Sequence, residues 1–275
     1  MVRKISIFLL GYLLVTSSCT QFTKMEKSKN YDQKLKYANE LYDQKRYGQA
    51  QELYEEMMPI FKGTVKAEDL LYRYAYTFYY EGDYTSGAFW FKNFVEAYPN
   101  SPHADELDYM QAYSFFKLSP RVELDQSNTI KAMDAMQEFI NTHPNSKKLA
   151  EASHIIDLCR RKLEDKEYRG AQLYYNIGLY KASGIAFTSL MQDYPDSELG
   201  DKYKLMIIKS YFQYAKNSIE IKQQVRFNRV VHQYHDFLDN YPKSTLTKEA
   251  EKYYSLSLNE LKSLQNEQSK EKSNQ

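Results

Sequence analysis

The feature that most constrains this chain is a cadence that occurs four times. A large apolar residue stands four positions before an aromatic or histidine that is followed at once by proline: Phe94 with Tyr98-Pro99, Phe139 with His143-Pro144, Leu190 with Tyr194-Pro195 and Phe237 with Tyr241-Pro242. Proline has no N–H to donate and clashes with the carbonyl four residues earlier, so each of these sites stops a helix. A polar residue and a serine follow each stop, as in Asn100-Ser101 and Asp196-Ser197, and these are residue types that start the next helix.

Upstream of each stop lies a second fixed spacing: Tyr84, Gly87, Phe91; Thr129, Ala132, Met136; Tyr180, Ser183, Phe187; and Phe227, Val230, Tyr234. Intervals of three and four put the members of each set on one helix face. Two antiparallel helices approach closely where one lacks a bulky side chain, and the large residue one turn on fills the adjoining hole. Ala38, Ala75, Ala112 and Ala171 supply small residues on the preceding helices. An earlier copy, Tyr47, Ala50, Tyr54, leads to Met58-Pro59 and predicts a shorter second helix. With only nine Gly and seven Pro in 275 residues, the chain reads as all-α, a superhelical array of about five irregular helix pairs similar to tetratricopeptide repeats. Successive copies are 37, 45, 51 and 47 residues apart, so insertions are expected between paired helices or between repeats. The clearest runs from Leu118 to Asn128 and carries Pro120.

The ends read differently. Residues 1–18 run from Arg3-Lys4 through an apolar stretch to Thr16-Ser17-Ser18, the order of a secretory signal. Cys19 follows directly, so the segment resembles a bacterial lipobox, with Thr16 where that motif usually has Leu. This implies diacylation of Cys19 and a position on the periplasmic face of the outer membrane. Residues 19–30 read as the lipidated cysteine and a flexible tether, 31–262 as the repeat domain and 263–275 as a disordered tail.

The 27 tyrosines are the strongest pointer to binding. By analogy with the ligand face of tetratricopeptide repeats, the first helices present Asn39 and Tyr42 in one repeat and Tyr72, Tyr76 and Tyr79 in the next. Tyrosine offers broad apolar contact and a hydroxyl at low entropic cost, which suits extended peptides ending in aromatic residues; the competing role for each ring is packing between helices. Catalytic motifs, a phosphate loop and a paired-cysteine metal site are absent from the sequence. No cofactor or metal is expected, and a net charge of +1 argues against nucleic acid. His232 and His235, flanked by Asp236 and Asp239, read as surface polar residues, and Cys159, beside Ile155, Ile156 and Leu158, as a buried thiol.

The stretch Arg160 to Ser197, "RRKLEDKEYRGAQLYYNIGLYKASGIAFTSLMQDYPDS", resembles the fourth repeat of the BamD family, the lipoprotein of the β-barrel assembly machine. The likeness lies in Glu167-Tyr168, Ala171, Tyr174-Tyr175 and Asp193-Tyr194-Pro195-Asp196. It extends over Tyr31 to Lys262, mainly as generic repeat pattern elsewhere. The resemblance implies a non-enzymatic scaffold whose C-terminal repeats dock on a periplasmic domain of the barrel-forming partner, and whose N-terminal repeats meet unfolded outer-membrane proteins. Two alternatives share the repeat pattern: another periplasmic adaptor lipoprotein, for cell division or envelope integrity, and a glycan-binding uptake lipoprotein. Mass spectrometry of the mature N-terminus should find a lipid on Cys19, and Cys19→Ala should release the protein from membranes; an unmodified N-terminus elsewhere would remove the anchor.

Overall fold

A computed structural model describes residues 21–273; the signal segment and Cys19 lie outside them. The described residues hold a short helical segment, 21–26, and eleven longer helices. These are α1 (Tyr31–Asp43), α2 (Tyr47–Phe61), α3 (Ala67–Glu81), α4 (Tyr84–Ala97), α5 (Ala104–Leu118), α6 (Ser127–Thr142), α7 (Leu149–Asn176), α8 (Tyr180–Asp193), α9 (Gly200–Lys216), α10 (Glu220–Asn240) and α11 (Thr247–Ser273). There is no strand among the described residues. Five successive pairs, α1–α2 to α9–α10, make the repeats, and α11 follows them.

The helix stops fall where the prolines put them. In α4, α6, α8 and α10 the N–H of Tyr98, His143, Tyr194 and Tyr241 donates to the carbonyl of Phe94, Phe139, Leu190 and Phe237, and the helix ends there. The serines act one step earlier than a helix cap. Ser101, Ser146, Ser197 and Ser244 each accept an N–H from two residues on, closing a turn that leads into the next helix. Two of them also tie to the preceding first helix: Ser101 Oγ donates to Glu68 at 2.6 Å and Ser244 Oγ to Asp201 at 2.5 Å.

The turns within pairs use left-handed backbone. Gly82, at φ 82°, ends α3 while the Asp83 N–H reaches the Phe78 carbonyl at 2.9 Å. Gly178 repeats this after α7, and Lys45, at φ 61°, does so after α1. Asp83 then caps α4 by accepting the Ser86 N–H at 3.0 Å. That bond and the Ser86 hydroxyl hold its carboxyl below the usual range.

The core is the pattern of small and large residues. Ala38, Ala75, Ala112 and Ala171 are buried, and so are Ala50, Gly87, Ala132, Ser183 and Val230 on the second helices. A side-chain carbon at Gly87 would lie 3.5 Å from the Tyr79 backbone nitrogen, so α3 and α4 touch nearly main chain to side. Tyr54, Phe91, Met136 and Phe187 fill the holes one turn on, fully buried.

Several expectations change. α2 continues to Phe61 with Pro59 inside it, so it is not short; its fifteen residues match α3 and α5. Pro59 removes one bond near the end of the helix, and burial of Phe61 holds the last turn. The long loop 119–126 is present. The extra length of repeats four and five, however, sits in helices rather than loops, since α7 has 28 residues and α10 has 21. The tether is partly ordered: Phe22 and Met25 pack on the core, and the buried Lys34 ammonium donates to the Glu26 carbonyl at 2.7 Å and to Glu56 at 2.7 Å. The tail from Ser263 is helical to Ser273, because Leu261 and Leu264, three apart, both reach the core.

The single repeat domain expected over 31–262 resolves into two compact units that divide inside α7, residues 1–160 and 161–275. In the first, the described residues form two apolar clusters. One lies around α1 to α4; the other lies around α5, α6 and the start of α7 and includes the buried Cys159. The second unit has one cluster, centred on α9, which packs on α8, α10 and α11. Gly82→Ala should lower the unfolding free energy by about 1–2 kcal/mol, because a β-carbon in the left-handed region is strained. A urea titration measures it; an unchanged midpoint would show that this turn is not held as described.

Candidate binding groove

Helix α3 supplies the tyrosines because 72, 76 and 79 recur at four and three along it, a stripe set by helical geometry. In the first unit this stripe lies beside α1 and α5. Tyr72 and Tyr76 are 5.0 Å apart between ring centres, Tyr76 and Tyr79 are 6.4 Å apart, and Tyr79 meets Tyr84 at 5.4 Å and Tyr113 at 6.4 Å. At the α1 side Tyr42 packs edge-on against Tyr47 at 5.4 Å and against Tyr80 at 6.2 Å. Tyr80 closes the set by stacking on Tyr47 at 4.5 Å and on Tyr76 at 5.6 Å. The result is a continuous aromatic surface drawn from five helices.

The five predicted residues do not share one role. Tyr42, Tyr72 and Tyr79 are half-buried. Tyr76 belongs to the core at 6% exposure, and its hydroxyl donates to Glu106 at 2.5 Å, so its expected place as a ligand contact is taken by packing. Asn39, expected to offer polar contacts, already accepts the Tyr54 hydroxyl at 2.7 Å through its side-chain oxygen. Tyr80, at 48% exposure, is the open ring that the sequence reading omitted. Its position eight residues after Tyr72 and four after Tyr76 was the available signal.

Glu106 is the polar centre of the groove. It accepts from Tyr72 at 3.2 Å as well as from Tyr76, while His103 stacks on Tyr72 at 4.5 Å and lies 3.6 Å from the same carboxylate. Nothing in one linear segment marks Glu106, since it stands 34 residues after Tyr72 and one repeat away. At the α1 side the Arg73 guanidinium lies 5.2 Å from the Tyr42 ring and is held by Asp43 at 3.1 Å and Asp69 at 3.2 Å. Lys117 lies 5.5 Å over Tyr84 at the other end.

Burial sets the protonation of these phenols. It pushes Tyr72 and Tyr79 up to about 12 and Tyr76 and Tyr42 higher still; the Glu106 carboxylate adds to the rise of Tyr72 and Tyr76, and the Tyr80 hydroxyl to that of Tyr42. These four phenols are therefore neutral at physiological pH. No group of three or more metal-ligating side chains occurs among the described residues. His232 pairs with Asp236 at 3.1 Å, and His235 packs against Tyr234 and Tyr254.

Successive antiparallel helix pairs with small residues at their seams define a tetratricopeptide-like repeat array. A family model described as "YfiO: Outer membrane lipoprotein" matches residues 25–227, and the chain belongs to this BamD-like family. It is 23% identical over 239 residues to the putative outer membrane protein assembly factor BamD of Aquifex aeolicus, covering 82% of this chain and 72% of that one. It is also 23% identical to the outer membrane protein assembly factors BamD of Rickettsia prowazekii and Caulobacter vibrioides. The first match spans 62% of this chain and 68% of the relative, the second 45% and 41%. Among solved structures, the TPR2AB-domain:pHSP90-complex of yeast Sti1 is 12% identical with a TM-score of 0.38, over 82% of this chain and 98% of that one. No helix among the described residues is long and apolar enough to cross a membrane.

Because folding raises these phenol pKa values, their contribution to stability is complete below the unfolded value of about 10. It is lost as pH rises through the folded values, near 12 for Tyr72 and Tyr79. Unfolding free energy should therefore fall between those pH values, together with the appearance of tyrosinate absorbance. Free titration of all tyrosines near 10 would mean that the rings are not packed as described.

Proposed function

We propose that this chain is an outer-membrane lipoprotein scaffold for β-barrel assembly, held by an acylated Cys19 on the periplasmic face. Its C-terminal repeats dock on the periplasmic domain of a barrel-forming partner, and its aromatic groove takes extended segments of unfolded outer-membrane proteins. The observation that carries the reading is the family match over 25–227, with relatives whose names are those of assembly factors. The family is a non-catalytic scaffold, and the groove's chemistry agrees with that role. Tyr42, Tyr72, Tyr79 and Tyr80 offer ring faces to aromatic side chains of a peptide. Tyr76 and Glu106 hold those rings in place from behind, while Asn39 is engaged by the Tyr54 hydroxyl.

A lost aromatic contact at a used position costs on the order of 1–2 kcal/mol, or about tenfold in affinity. Tyr79→Ala and Tyr80→Ala should each weaken binding of a peptide copying the last strand of an outer-membrane barrel by about that factor, with little loss of stability for the exposed Tyr80 and some for Tyr79, which also packs on the core. Tyr76→Ala should instead lower stability by about 3 kcal/mol or more, as truncation of a buried ring does. Calorimetric titration of each variant with the peptide, beside thermal melts, measures both effects. Unchanged affinity in folded Tyr79→Ala and Tyr80→Ala would refute the groove assignment. Co-purification through a C-terminal tag checks the partner: a large β-barrel protein supports assembly, and a glycan-uptake transporter displaces it.

A further inference from the structure

Independently of the assembly reading, the second unit carries an apolar tip that the groove does not explain. Ile219, Ile221 and Val225, at the start of α10, are 70%, 80% and 73% exposed. Ile221 and Val225 are one helical turn apart, so they project together. The turn between α7 and α8 adds Ile177 and Leu179, also exposed. Both turns lie at one end of the unit. The Tyr175 ring is 5.4 Å from that of Tyr180, and α9 packs back along α8 after a short connection, which returns its last turn to the end where α8 begins. Connecting turns are ordinarily polar, and contiguous exposed apolar groups mark a contact surface.

The surroundings of the tip say what it contacts. Within the stretch 216–226 that carries the tip, Lys216, Lys222 and Arg226 stand against one acid, Glu220. The Arg226 guanidinium lies 3.9 Å over the Tyr214 ring and bonds Ser218, so it is fixed beside the turn. The tip itself is aliphatic, whereas the anchors that dominate protein interfaces are mostly Trp, Tyr and Arg. Branched aliphatic side chains protruding from turns, with a collar of cations, match the acyl boundary of a bilayer and the phosphates above it. We infer that this end of the second unit inserts Ile219, Ile221 and Val225 into an anionic phospholipid surface, giving the protein a second membrane contact apart from its acyl anchor.

The test uses the mature chain from residue 19 with Cys19→Ser, so that neither the apolar signal segment nor an acyl group contributes, and vesicles of phosphatidylethanolamine with phosphatidylglycerol. The chain should co-sediment with these vesicles, less so at high salt and less with phosphatidylcholine alone. Ile221→Ser with Val225→Ser should reduce vesicle affinity on the order of tenfold or more. Lys216→Glu with Lys222→Glu should reduce it several-fold. Because Cys159 is fully buried, a dye on Ile221→Cys labels the tip alone, and its emission should shift to the blue when vesicles are added. A chain that stays in solution, variants that bind as well as the parent, or an unshifted dye would each overturn the inference. So would a tip-dependent dimer in sedimentation velocity without vesicle binding, which would make the occupant a second copy, or loss of the barrel partner alone.

Discussion

The structure depends on the close approach of paired helices, made possible by a small residue on each side of the contact. Ala75 on α3 and Gly87 on α4 show it most plainly, for a β-carbon at Gly87 would already be in contact with the α3 main chain. One turn on, Phe91 fills the adjoining hole against Tyr76 of α3, 5.0 Å between ring centres, and is fully buried. The same interlock recurs with Ala50 and Tyr54, Ala132 and Met136, and Ser183 and Phe187. Where the small residue is polar its hydroxyl is satisfied: Ser183 donates to the Ala171 carbonyl at 3.0 Å and meets Ser210 at 3.0 Å. Each pair is thereby held at one spacing, and the loops only have to connect helices whose positions are already fixed.

The groove is a by-product of that spacing. Small residues at the seam bring α1, α3 and α5 into a row, and the tyrosines that flank the seam are too large to be covered by it. Some rings, such as Tyr76, sink far enough to need a buried acceptor, and Glu106 provides one for two phenols at once. Others, such as Tyr80, stack on neighbours and keep an open face. A surface assembled this way is stiff and apolar with its hydroxyls partly committed, and so suits a segment that supplies aromatic side chains and backbone of its own.

The two units use the repeat differently. The first keeps helices of 13 to 16 residues in α1 to α6 and spends its aromatic content on the groove. The second lengthens α10, encloses the strongly apolar α9 between α8, α10 and α11, and leaves aliphatic side chains on its turns. Lys204 marks the same difference inside the second unit. It is nearly buried in α9, where Gln233 accepts from it at 2.8 Å and Asp236 at 3.1 Å, a pair that α10 can supply only because it runs alongside.

Sequence alone determined the helix class, the register of small and large residues, the proline stops and the burial of Cys159. All of these follow from contacts within one or two helical turns, where spacing fixes geometry. It also put Tyr72, Tyr76 and Tyr79 on one stripe. Which of those rings stays open was decided only in the tertiary structure, because Tyr76 sinks toward Glu106, a residue 30 positions away on α5, while Tyr80 is held out on Tyr47. The ordered tether and tail were decided there too. Residues 21–26 and 263–273 look polar as strings, but Phe22, Met25 and Leu264 are single apolar groups that become anchors once a core stands beside them. Local pattern measures periodicity within a segment; it carries no information about a surface that another segment brings within reach.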